Sequence, residues 1–271
     1  MRVEAGLVGT FLLNYFMVLI IFFFLLFTSP SFAQDSEFAQ FKNDYTFQYN
    51  QYLTAYTKYL EKKDVFTKYG SVTTEADKLS AAKEAINARN LALRTYLQAL
   101  RTYLNKYKSV DPATTDKLQI ELQNWENWFN EQLSIVPNIN NSRDLNAWVT
   151  DFKIKYIDVQ QSIYSSLIYN QINQKKLTLN LLNSLIETVK TDPNIKPENQ
   201  LWLSNFAIRS DLVNNSLKNS ASFTVKKEYQ SRFINFYANA KADLNTANNY
   251  LRQISDDLKI IIVKSNNTNG S

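Results

Sequence analysis

The chain has no histidine and no cysteine, only four glycines, and only five prolines in 271 residues. Without imidazole or thiol it cannot build a Cys/His zinc site, a Cys or His nucleophile-base pair, a haem with His or Cys axial ligands, or a disulfide framework. The missing cysteine also excludes the thioether anchor of a lipoprotein. Glycine scarcity removes the Gly-rich phosphate loop and the nucleophile elbow. Past residue 33 the breakers are Gly70, Pro112, Pro137, Pro193 and Pro197, with Gly270 in a polar terminus. Between them lie long stretches of helical periodicity, which predict an all-α, elongated helical bundle of about six helices.

What is present begins with an apolar N-terminal segment. Arg2 supplies a short positive region, Leu7 to Phe27 is almost wholly apolar, and Pro30 precedes Ser31-Phe32-Ala33. Small residues at positions 31 and 33 match a signal-peptidase site, with cleavage between Ala33 and Gln34. The apolar run is also long enough to cross a bilayer, so residues 1–33 read as a signal peptide or an uncleaved signal anchor. Either one predicts export to the periplasm, the cell surface or the exterior. Membrane attachment is then expected only through an uncleaved 1–33 segment.

The remaining breakers place the helices. Helix 1 is expected from about Asp35 to Lys68, and helix 2 from Thr74 to about Lys108, with Thr74-Glu75-Ala76-Asp77 as a near capping box. Asp111-Pro112 opens helix 3, which runs to about Ile135. Helix 4 starts near Ser142 and reaches Lys190, and Pro197-Glu198 opens helix 5. A break near Asn219 to Ser222 then leads to helix 6, from about Thr224 to Val263. These boundaries suggest a helical bundle over 34–136, a second over 137–263 that is separate or continuous with the first, and a disordered tail over 264–271.

Within the helices the period is seven. Arg94-Thr95-Tyr96-Leu97 recurs unchanged as Arg101-Thr102-Tyr103-Leu104, and Leu79, Ile86, Leu93, Leu100 and Tyr107 continue one seam, a coiled-coil-like heptad pattern. Phe38, Phe41, Tyr45, Tyr49, Tyr52, Tyr56 and Tyr59 form an aromatic stripe on helix 1 that reads as core. Tyr229, Phe233, Phe236, Ala240, Ala247, Leu251, Ile254, Leu258 and Ile261 do the same on helix 6.

Charge is mild, 30 basic against 25 acidic side chains, which gives a net charge of +5 and argues against nucleic acid as a partner. It is unevenly placed. Helix 2 carries seven basic and three acidic residues, while helix 3 carries five acidic residues and Lys117. That contrast predicts an antiparallel hairpin with complementary flanks. On helix 2, Arg94, Arg101 and Lys108 repeat at seven beside the seam and form a candidate contact for an envelope polyanion or a partner. In Asn-Trp-Glu-Asn-Trp-Phe-Asn, Trp125 and Phe129 share one face, which leaves Trp128 as the candidate exposed aromatic. The sequons at Asn140, Asn214 and Asn266 carry little weight in so Asn-rich a chain.

No catalytic, cofactor or metal residues emerge, because the carboxylates are spaced like surface charges along amphipathic helices. The expected function is that of an exported, non-enzymatic structural spacer or binding module, with an unknown protein or envelope polymer as partner and self-association through the helical seams. An oligomerising pore-forming or membrane-active helical protein is the alternative, and a carboxylate-dependent hydrolase the weaker third reading.

Overall fold

In a computed structural model the protein is all-α, and the structure describes residues 36–191, 200–223 and 233–268. Six α-helices occupy these residues: α1 (Ser36–Tyr69), α2 (Val72–Asn105), α3 (Pro112–Ile135), α4 (Ser142–Thr191), α5 (Gln200–Ser222) and α6 (Phe233–Thr268). Residues 1–33, the Ala33-Gln34 site and the openings expected at Pro197-Glu198 and Thr224 lie outside the described residues.

Helix ends follow local chemistry. Gly70 closes α1 with φ +59°, and its N–H donates to Phe66 O at 2.8 Å, a left-handed turn open to glycine at no strain. α2 begins earlier than the expected Thr74. Ser71 is its cap: the Thr74 N–H donates to Ser71 Oγ at 3.2 Å, while the Ser71 N–H donates to Thr74 Oγ1 at 3.0 Å. The reciprocal box is therefore Ser71-x-x-Thr74, with threonine where glutamate is usual. Asp111 caps α3 by accepting from the Thr114 N–H at 3.2 Å, and Asn141 caps α4 by accepting from the Asp144 N–H at 2.8 Å. α2 stops at Asn105 rather than Lys108, and a short 3-10 turn over Lys108–Val110 leads to Pro112. α5 ends at Ser222, the far edge of the break expected near Asn219 to Ser222, and α6 extends past Val263 through Thr268.

The helices contribute to two compact units, which divide the chain otherwise than at residue 136: one holds residues 36–102 and 121–158, the other 103–120 and 159–268. The break expected at Pro137 is only a 3-10 turn over Val136–Asn138, whereas both α2 and α4 supply residues to both units.

The first unit is an up-down-up-down arrangement of α1, most of α2, the second half of α3 and the start of α4. Lys58–Glu84 and Lys62–Asp77 tie α1 antiparallel to α2, at 2.6 and 2.9 Å. Its core is aromatic: Tyr52, Tyr96 and Phe129 are almost fully buried beside Ile86, Leu93, Leu97 and Leu122. Tyr45, Tyr56 and Tyr59 are buried too, while Phe38, Phe41 and Tyr49 are half-buried, so the helix 1 stripe is core in part. Ala81, Ala82, Ala85, Ala92 and Ala99, all 2% exposed or less, let neighbouring helices approach α2 from several sides.

In the second unit α5 and α6 pack against each other, with the Ser220 hydroxyl donating to Ala240 O at 3.1 Å and Arg209 paired to Asp257. The α6 seam is buried as its spacing predicts, from Phe236 and Ala240 to Leu258 and Ile261. Ile163, Leu167, Ile168 and Ile172 of α4 are 2% exposed or less and give this unit an aliphatic core.

Candidate functional site

The basic flank of α2 faces α3. In the first unit Arg94 Nη1 donates to Asn130 Oδ1 at 2.7 Å, and Arg101 Nη1 pairs with Glu126 Oε1 at 3.0 Å. In the second, Lys108 Nζ pairs with Asp116 Oδ1 at 2.5 Å, and Asn105 and Gln119 are hydrogen-bonded. Partners on α3 descend as residues along α2 and the following turn ascend, which is the antiparallel pairing that the opposite charges predicted. The stripe is thus largely occupied within the fold. Lys108 and Asp116 are both about half exposed, a geometry in which water weakens the pair. Arg101–Glu126 is different, because the Glu126 side chain is only 5% exposed. Burial raises the Glu126 carboxyl above its ordinary value, and Arg101 opposes that rise.

Trp128 is not an exposed aromatic. It is 8% exposed, with its ring 5.0 Å from both Phe129 and Phe152 and 5.9 Å from Trp125. Trp125 is the half-buried one. The helical wheel of α3 alone placed Trp128 beside the buried face, but α4 packs over that flank and encloses it. Trp148 of α4 donates its indole N–H to Gln132 Oε1 at 2.9 Å, which satisfies the polar edge of the same layer.

Against this layer lies a buried cation that sequence reading grouped with the surface charges of helix 2. Arg89 is 5% exposed, and its guanidinium carbon sits 4.2 Å from the centre of the Phe152 ring. Its Nη2 donates to Asn90 Oδ1 at 3.2 Å, and Asn90 is fully buried. The Nε–H of Arg89 and Nδ2 of Asn90 have no hydrogen-bond partner among the described residues. Burial pulls the Arg89 guanidinium down to about 10, with Tyr52 and Tyr156 pulling the other way. Tyr52 is raised by its own burial, against the effect of Arg89. A sequence signal existed: Arg89 stands three residues after Ile86 and four before Leu93, an inward position of the seven-residue pattern.

The second unit holds its own polar interior. The Tyr169 hydroxyl donates to the Asp111 carboxylate, which holds Asp111 below its usual range; burial, and then this bond, raises Tyr169 above its own. Gln171 Nε2 donates to the Tyr237 hydroxyl at 3.1 Å, and burial pushes Tyr237 up to about 12. Burial also lowers the Lys175 ammonium.

Among the described residues no three His, Cys, Asp or Glu side chains gather as metal ligands, and no helix is long and apolar enough to cross a membrane. Exposed apolar side chains include Leu177, Leu181 and Leu185, spaced by four on α4, and Tyr69 and Val72 at the α1–α2 turn. Comparisons with protein-family models, curated proteins and solved structures return no match to the chain.

Proposed function

We propose that the protein is an exported, non-enzymatic helical module of the cell envelope or exterior, acting as a structural spacer or a binding module. The observation that carries this reading is α4, a single uninterrupted helix of 50 residues, about 75 Å long at 1.5 Å per residue. A helix of this length, tied to neighbouring elements by hydrogen bonds such as Trp148 to Gln132 and Tyr169 to Asp111, suits a protein that sets distances or displays a surface. The polar groups support it as well. Arg89 is stacked on the Phe152 ring and Glu126 is paired to Arg101 across helices, both within helix-packed surroundings. Export rests on the Leu7–Phe27 run and the Ser31-x-Ala33 pattern. The partner is an envelope polymer or a protein.

Because α3 occupies the basic flank, attachment to an envelope should not depend on Arg94, Arg101 and Lys108 acting as a free polycation. The test is co-sedimentation of the purified chain with isolated envelopes across a salt series. The reading expects attachment that persists at high salt, where exposed charges are screened. Attachment lost in step with ionic strength and removed by Lys108→Gln would return the role to the basic flank. No association with envelopes or any exterior component would remove the binding module and leave only the spacer.

A further inference from the structure

We propose that the Arg89–Asn90 cluster in the first unit is a binding site for a small monovalent anion of chloride size. An arginine remains protonated at any physiological pH, and removing it from water without a counter-charge costs several kcal/mol. Arg89 is 5% exposed, yet no carboxylate pairs with it among the described residues. The groups that bear on its charge are the hydroxyls of Tyr52 and Tyr156, both neutral, and the face of Phe152. A ring face and two phenols soften the burial of a cation but supply no net negative charge.

Hydrogen bonding points the same way. A guanidinium has five N–H donors, and this one makes a single hydrogen bond among the described residues, from Nη2 to Asn90 Oδ1. Its Nε–H is free, and so is Nδ2 of the fully buried Asn90. The bond that joins the two side chains brings both vacant donors into one cluster, next to a positive charge. An unfilled donor in a buried position is costly, so two of them beside an uncompensated cation favour an acceptor that is itself negative.

Size and charge select the ligand. Arg89, Asn90, Tyr52, Phe152 and Tyr156 are all 5% exposed or less, so only a compact ligand can reach the two donors without displacing side chains. One cation balances one negative charge, which disfavours phosphate or sulfate. A halide accepts N–H and O–H donors from any direction and so fits a set of donors that was not built around a planar carboxylate.

The experiment uses the full chain in chloride-free gluconate buffer at fixed ionic strength, with chloride titrated in and thermal unfolding recorded. A saturable rise is expected, about 3–6 °C at tenfold the dissociation constant. Lys108→Gln should keep that rise, Arg89→Met should abolish it, and Asn90→Ala should weaken the apparent affinity about tenfold. Chlorine-35 NMR line broadening on the unaltered chain, reversed by bromide, provides a readout that requires no variant to fold. Identical stability in chloride and gluconate without line broadening would overturn the proposal and leave water as the acceptor. A chloride response preserved in both Arg89→Met and Asn90→Ala would overturn it too, by placing the ion on the surface.

Discussion

Exchanging Arg101 for glutamine and exchanging Glu126 for glutamine break the same ion pair, but the two changes should not cost the same. The Arg101 side chain is 30% exposed and that of Glu126 only 5%. Glu126→Gln removes the charge that burial penalises and leaves an arginine that can reach water, so stability at neutral pH should stay within about 1 kcal/mol of the parent. Arg101→Gln leaves a carboxylate in a nearly closed site without its cation. Breaking a fully buried pair costs about 3–5 kcal/mol, and partial solvation of Arg101 reduces the expected loss to about 2–3 kcal/mol.

The pH dependence provides an independent check. The Glu126 carboxyl is raised by burial, so the folded state holds this proton more tightly than the unfolded chain does. The stability linked to it is complete below the unfolded value near 4.3 and is lost as pH rises through the folded one. In Arg101→Gln the opposing pull of Arg101 is gone, so the loss with rising pH must be larger. Urea unfolding followed by circular dichroism at about pH 5 and about pH 7.5 would measure all three proteins. Equal losses for the two variants, or an Arg101→Gln defect that does not change with pH, would refute a desolvated Glu126.

Trp128→Ala should destabilise by about 3–5 kcal/mol, because it opens a void beside Phe129 and Phe152, whereas Trp125→Ala should cost about half as much; urea midpoints would show the order. Gly70→Ala should cost about 1 kcal/mol through its φ of +59° alone, since nothing lies within 4 Å of the added carbon, and a thermal melt would register it. Burial raises Tyr45, Tyr52, Tyr59, Tyr103 and Tyr237, so the folded state favours neutral phenols. Their contribution is complete below about pH 10 and fades above it. Tyrosinate absorbance should therefore rise together with loss of helicity, and early titration of these five with the helices intact would contradict their burial.

The fold was legible because helix punctuation is local. Gly70, Asp111-Pro112 and Ser142 mark ends within a few residues of where the backbone turns, and seven-residue spacing identifies the buried lines of α1, α2 and α6. The hairpin of α2 and α3 was legible from charge alone. What escaped sequence reading depends on which helix covers which flank. Trp128 is exposed on an isolated α3 and enclosed once α4 lies over it. Arg89 occupied an inward position, but its type assigned it to the surface, and the Phe152 ring that it stacks on comes from a distant part of the chain. The division into two units differs from the expected one at residue 136 for a related reason: helices that serve both leave no break in the sequence.

The most direct test of the account is the intact mass of the native protein, measured separately in cytoplasmic, membrane and exterior fractions. An exported helical module predicts either a chain beginning at Gln34 outside the cytoplasm or a membrane-held chain that retains Met1 to Ala33. Recovery of the full chain solely from the soluble cytoplasm would contradict it.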